Sequence, residues 1–295
     1  MLARALGFYL DGITLAEGCF LSDKPREYAF AGRLEEASRL EAQAKAVEKI
    51  IEGELEILGL KPNMRVLDAE CGTGAITRRI ASKVFPAEAF GIDIDPLFID
   101  KAKKAALDEG IKNVHFELGD IDNLRYDGGF FDLAYCNVVL MHVKNPVKTI
   151  SELKRVTRRG GVVAASDVDD DTLLIYPPAP KFLELWSEWA KRAKARGMDR
   201  HVGRKLYSIF SEAGLSFTRI YPLPMVATQQ DPDALGALVY QYVKILEQDK
   251  NAMLTEGVTT ERDFEEALKE VRHFLENPGS FIMVSFFLAV GECSG

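Results

Sequence analysis

The segment Val66-Leu67-Asp68-Ala69-Glu70-Cys71-Gly72-Thr73-Gly74-Ala75-Ile76 reads as an apolar strand, a glycine turn and the start of a helix whose Ile76 and Ile80 face inward. A Gly-x-Gly turn lets a ligand come close to the backbone, although the same pattern also makes a tight connection that binds nothing. Its companion is Gly91-Ile92-Asp93-Ile94-Asp95-Pro96, which sets the Asp93 carboxylate at the end of the next strand. That is about 20 residues on, the separation at which an acid can bind both hydroxyls of a ribose. For Asp95, beside Pro96, a helix cap is the favoured reading. A nicotinamide fingerprint needs a third small residue where this chain has Thr77.

Elements with a definite order must position these residues. From Arg65 onward, short β-branched or apolar runs alternate with helical patterns, as in a parallel sheet covered on both faces. Strands are expected over 65–69, 89–93, 114–118, 131–136 and 162–166. Asp95-Pro96 and Asn145-Pro146 each place a capping oxygen before a ring set at helical φ, while Gly110 and Gly160 stand where left-handed helix ends are favoured. Phe182, Leu185, Trp186 and Trp189 recur at helical spacing, and the two tryptophans are expected in the core.

A sixth strand is expected over 215–221, with Pro222 and Pro224 limiting how far it stays paired, and a seventh over 281–290. Between them lie two helical patterns. One starts at Asp231-Pro232 and carries Leu235, Leu238, Tyr242 and Ile245; the other starts at Thr260, with Asp263 completing an approximate capping box.

Composition bounds the partners. A chain of 295 residues, 47% hydrophobic and 28% charged, can bury one large core or a core with an elaborated cap. Its formal net charge of -8 opposes the broad basic face that nucleic-acid binding requires. The longest apolar run, 281–290, is well short of the roughly 20 residues of a membrane helix. Asp11 and Glu17 interrupt the apolar opening, which reads as a capping helix or arm rather than a signal peptide. Cys19, Cys71, Cys136 and Cys293 are scattered without metal-ligand spacing, in keeping with a reducing, cytoplasmic location and no structural zinc.

Together with the segments downstream of it, the glycine segment resembles motif I of class I S-adenosylmethionine-dependent methyltransferases, whose common form is acid-x-Gly-x-Gly-x-Gly. Asp68, Gly72 and Gly74 match, and Glu70 stands where the first glycine normally stands. The resemblance continues through Phe116-Glu117-Leu118-Gly119-Asp120-Ile121, Phe131-Asp132-Leu133-Ala134-Tyr135-Cys136-Asn137 and Leu153-Lys154-Arg155-Val156 to Gly160-Gly161. Two flanking pieces, Arg39-Leu40-Glu41-Ala42-Gln43 and Val202-Gly203-Arg204-Lys205-Leu206, are similar to the small-molecule branch that shares its core with quinone-ring C-methyltransferases.

The resemblance implies an α/β, Rossmann-like, seven-stranded, mostly parallel sheet with an antiparallel last strand. A helical N-terminal cap would span 1–60, the core 61–230 and 279–295, and a helical insertion, a candidate lid, 231–278. It implies S-adenosylmethionine as cofactor and S-adenosylhomocysteine as product. Asp68 would orient the methionine amine, with Gly72 and Gly74 letting that portion lie against the backbone. Asp93, followed by Ile94, would take the ribose hydroxyls; Asp120 would accept from the adenine amine and Ile121 would pack on its ring. The Asn137 backbone would lie near the methionine end, and Arg39 and Gln43 are further cofactor-binding candidates. Glu70 puts a side chain at a turn where glycine is usual; it either points outward or contacts the amine.

Methyl transfer from a sulfonium is an in-line displacement, so alignment is the main requirement and a base is optional. His142, after the fourth strand, is the leading base candidate, followed by Tyr28, His201 and Asp167; His115 and His273 read as structural or surface residues. Tyr9, Tyr28, Arg39, Tyr176 and Tyr242 are candidates for closing over the acceptor. The segment after that strand lacks the Asn/Asp-Pro-Pro-aromatic pattern of many base and glutamine N-methyltransferases, which favours a small organic acceptor handled by a monomer or homodimer. Two other readings compete: a nicotinamide-dependent oxidoreductase, and a non-catalytic protein that keeps the fold and the cofactor.

Overall fold

A computed structural model describes residues 48–294. The expected cap over 1–60 is therefore described only from residue 48, where a helix lies, and Tyr9, Tyr28, Arg39 and Gln43 lie outside the described residues. That helix, α1 (Glu48–Ile57), buries Ile51, Glu54 and Leu55.

The motif-bearing half follows the expected alternation. In order come β1 (Val66–Ala69), α2 (Ala75–Val84), β2 (Ala89–Asp93), α3 (Pro96–Asp108), β3 (Val114–Leu118), β4 (Phe131–Asn137) and α4 (Pro146–Val156). Asp95 caps α3 by accepting from the Leu97 N–H at 2.8 Å, and Asn145 caps α4 through Lys148. Both prolines then occupy the first turn, where no amide is needed. Gly110 adopts φ +70° just past α3, but Gly160, φ +69°, lies inside the next strand because α4 passes into it at Thr157.

The second half comprises β5 (Thr157–Tyr176), α5 (Pro180–Ala195), α6 (Leu206–Glu212), β6 (Ser216–Thr228), α7 (Pro232–Thr255), α8 (Glu261–Glu276) and β7 (Phe281–Glu292). Together the strands form a seven-stranded sheet ordered β3-β2-β1-β4-β5-β7-β6. The first five are parallel to one another, and β7 runs antiparallel to both its neighbours.

Two strand lengths depart from the sequence reading. β5 continues ten residues past Ser166 to Tyr176, against β7. β6 runs through both prolines, with Pro222 opposite Phe287 and Pro224 opposite Ser285. β6 is an edge strand, and prolines two residues apart turn their missing amides to the same, unpaired side, so no ladder bond is lost.

The insertion belongs to the same core as the sheet. Leu235, Leu238, Val239, Tyr242 and Leu246 of α7 and Phe264, Ala267, Val271 and Phe274 of α8 are buried in it. On α5, Arg192 pairs with Asp249 and Glu256 of the α7 end, fastening the insertion to the helix that carries the tryptophans. Trp186 and Trp189 are buried and stacked with ring centres 4.6 Å apart, and Tyr242 meets Trp186 edge-on. Among the described residues no helix is long and apolar enough to cross a membrane.

Candidate functional site

The ends of β1 and β2 bring two carboxylates to either side of one turn. Asp68 is 2% exposed and accepts from the Thr77 hydroxyl at 2.6 Å. Asp93 accepts from the Gly72 N–H at 2.8 Å through Oδ2 and from the Asp95 N–H at 2.9 Å through Oδ1. Thr77, the residue that spoils a nicotinamide fingerprint, is thus the partner of the motif's acid.

No Lys or Arg of the described chain forms an ion pair with either carboxylate. Burial pushes Asp68 up to about 7, with the Asp93 charge adding to it, and burial likewise pushes Asp93 up to about 6. Two acids are held out of water with hydrogen bonds but no countercharge, so a cationic or hydroxyl-rich ligand that met them would relieve a standing cost. Among the described residues no group of three His, Cys, Asp or Glu side chains is placed to hold a metal.

The turn keeps the glycine geometry even where glycine is missing. Glu70 takes φ +60°, beside Gly72 at +53° and Gly74 at +76°. A side chain in the left-handed region costs on the order of 1 kcal/mol. Gly74 is fixed by packing: a Cβ there would lie 2.5 Å from Phe116 Cζ and 2.9 Å from Ala102 Cβ. Gly91 is held likewise, its Cβ falling 2.7 Å from the same ring.

Further candidates stand around this turn. Ile94 is half-buried in the bend between Asp93 and α3. Asp120 accepts from the Asp122 N–H at 2.9 Å, while Ile121 is fully buried in the main core. Asn137, ending β4, donates to Glu54 Oε2 at 3.0 Å and to the Tyr135 hydroxyl oxygen at 2.7 Å.

After β4 a 3-10 turn, Leu140–His142, carries His142, half-buried, along the edge of the sheet. Asp167 of β5, fully buried, accepts from the Met141 N–H at 3.2 Å and braces that turn; burial pushes its carboxyl up to about 7. His201 sits apart from the glycine turn's contacts, 3.1 Å from Asp171 at the surface. It belongs to a set of ion pairs joining the β5 extension to the loop after α5, in which Arg200 grips Asp170 with two nitrogens and stacks over Trp186 at 5.1 Å. His115 lies on the face of Phe90 and pairs with Glu88, and His273 is exposed on α8. Tyr242 is buried, whereas Tyr176 is 67% exposed.

Sequence reasoning missed Glu54, which is fully buried and central to the polar cluster beneath the β4 edge. Its signal was a carboxylate on the apolar stripe of α1, one residue before Leu55 and three after Ile51.

The topology bears on the competing readings, because a nicotinamide-binding doubly wound sheet is mostly parallel, with strand order 3-2-1-4-5-6. Here β7 is wedged antiparallel between β5 and β6. A family model described as "Methyltransferase domain" matches residues 60–214, more than half of the chain. The chain belongs to the class I methyltransferase family. This methyltransferase is 32% identical over 153 residues to an uncharacterised methyltransferase of Schizosaccharomyces pombe, covering 50% of this chain and 55% of that one. It is 29% identical over 215 residues to the malonyl-acyl-carrier-protein O-methyltransferase of Halorhodospira halophila, covering 71% and 68%. Among solved structures, it superposes on Haemonchus contortus phosphoethanolamine N-methyltransferase 2 in complex with S-adenosyl-L-methionine. The TM-score is 0.60 at 14% identity, over 99% of this chain and 74% of that one. The chain spans about half the length of the first curated relatives it matches.

Proposed function

We propose that this protein transfers a methyl group from S-adenosylmethionine to a small organic acceptor. The observation that carries the reading is the buried pair Asp68 and Asp93, hydrogen-bonded but without a countercharge at the glycine turn, in a chain of the methyltransferase family. The residues present fit the cofactor. Asp68 offers a buried carboxylate to the amine, and Asp93, held by backbone N–H groups of the turn, offers its remaining acceptor capacity to the ribose hydroxyls. Asp120 and Ile121 serve the adenine, Ile94 the ribose side, and Glu70, Gly72 and the Asn137 backbone the methionine end; Arg39 and Gln43 complete the set.

When bound, the cofactor supplies a methyl group already activated as a sulfonium. The chain's work is to hold the acceptor in line and exclude water. His142, on a turn braced by Asp167, takes the acceptor's proton where one must leave. Tyr28 and His201 are the alternatives.

The test is incubation of a cell extract with the protein and methyl-labelled S-adenosylmethionine, followed by mass spectrometry. A small molecule gaining one labelled methyl is expected. Label found only in nucleic acid would overturn the acceptor class.

A further inference from the structure

The strongest feature outside the glycine turn is a buried polar knot beside the carboxyl end of β4 and the middle of β5. Glu54 enters it from α1, fully buried. The Tyr135 hydroxyl donates to Glu54 Oε2, Asn137 Nδ2 donates to the same oxygen at 3.0 Å, and the Ser166 hydroxyl donates to Oε1 at 2.5 Å. Asn137 and Ser166 are register partners across the two strands, so one carboxyl from a helix pins the end of β4 to the middle of β5. Among the described residues no cation pairs with it, and burial pushes its carboxyl up. A buried carboxyl without a countercharge is a costly way to hold a fold together, which calls for a role beyond stability.

The turn directly above it supplies that role. The residue after Asn137 is Val138, whose φ is +57°. A β-branched side chain in the left-handed region is rare and strained, and such strain persists only where the surroundings enforce it. The Val138 N–H donates to the Ser166 carbonyl at 2.8 Å, so this strained residue hangs on the two residues that Glu54 grips. From there the chain runs into the Leu140–His142 turn.

We propose that Glu54 is a positioning residue for the methionine end of the cofactor: by clamping Asn137 and Ser166 it holds the Val138 turn in its strained form. This rests on the adenosylmethionine reading, which puts the Asn137 backbone at that end. Glu54 touches no ligand itself. Loss of the clamp lets the turn relax, spoiling the surface that meets the amino-acid portion of the cofactor while leaving the nucleoside portion at Asp93 intact.

Two ligands separate the halves. S-adenosylmethionine has both portions, whereas 5′-methylthioadenosine lacks the amino-acid portion. Glu54→Gln keeps the volume but turns an amide N–H2 towards groups that are already donors. Calorimetry on the full chain is expected to show affinity for S-adenosylmethionine falling about tenfold or more, as for one lost hydrogen bond to a charged group. Affinity for methylthioadenosine should change by less than about twofold on the same scale. Hydrogen exchange in the 137–142 peptide should quicken, with the peptide spanning β2 unchanged.

Ser166→Ala removes one donor but leaves the carbonyl that receives Val138, and should shift the same ratio in the same direction by less. It carries the test if Glu54→Gln does not fold. Equal loss for both ligands would mark Glu54 as merely structural, and unchanged S-adenosylmethionine affinity would likewise overturn the proposal. If the wild-type chain binds neither ligand, the adenosylmethionine reading fails, and this proposal with it.

Discussion

Thr77 donates its hydroxyl to Asp68 at 2.6 Å, from the first turn of α2 back to the end of β1. The bond ties the motif's acid to the helix that comes after the glycine turn, and both residues are buried. Thr77→Val keeps the shape and removes the donor. Asp68 keeps its bond from the backbone N–H of residue 77, so the variant loses one hydrogen bond, worth about 1 kcal/mol. The variant should therefore lower the urea midpoint, and it should weaken cofactor binding more at pH 7 than at pH 8.5. A wild-type midpoint together with wild-type affinity would show that the bond does not matter.

Two raised carboxyls at the glycine turn contribute to the pH dependence of stability, alongside Asp167, which burial also pushes up to about 7. Asp68 titrates at about 7 and Asp93 at about 6 in the fold, against 3.8 for an ordinary aspartate. The folded chain keeps protons that the unfolded chain has released, so the stability they contribute is fully present below about pH 4 and lost as pH rises through 6 and 7. Melting of the ligand-free protein should show this fall, less steeply in Asp68→Asn. Affinity for a cationic ligand should move the other way, rising with pH over the same window. An Asp68→Asn variant with the wild-type slope would exclude Asp68 as a source.

Phe116 is the reason two glycines are required. A Cβ on Gly91 would come within 2.7 Å of its ring and 2.9 Å of Cys71 Sγ. Overpacking of this kind costs about 1–3 kcal/mol, which Gly91→Ala should show in denaturant unfolding. Phe116→Leu in the same chain should recover part of the loss. Strict additivity in that double-mutant cycle would show that the ring is not the obstacle.

His142→Gln should reduce turnover by about 10²- to 10⁴-fold, the usual range for loss of a general base, without changing cofactor affinity or melting. The Leu140–His142 turn is held from below by Asp167 and from the side by the Asp199 N–H, which donates to the Met141 carbonyl at 2.8 Å. An amide at position 142 therefore leaves the turn in place. Near-wild-type turnover at neutral pH would transfer the role to another residue or leave alignment alone.

The glycine turn, Asp93, the caps at Asp95 and Asn145, and the helical insertion were legible because each rests on residues close together in the chain. Glu54 was not, because its partners lie 81 to 112 positions away and a lone glutamate on a helix usually faces water. β5 outran its expected end because Asp167, Asp169 and Asp170 are poor strand residues. Arg200 and Arg204 neutralise the last two from some 30 residues downstream, at a spacing no local pattern reveals. The prolines of β6 misled for a related reason: whether a strand is central or edge is settled by β7, later in the chain.

The most direct measurement is calorimetric titration of the wild-type chain and Asp93→Ala with S-adenosylmethionine, alongside NADH. The wild type should bind S-adenosylmethionine and not NADH. Asp93→Ala should keep its fold and lose affinity by roughly ten- to hundredfold, as expected when hydrogen bonds to a charged acceptor are lost. Binding of NADH without S-adenosylmethionine, or an Asp93→Ala affinity equal to wild type, would contradict the assignment of this turn as the cofactor site.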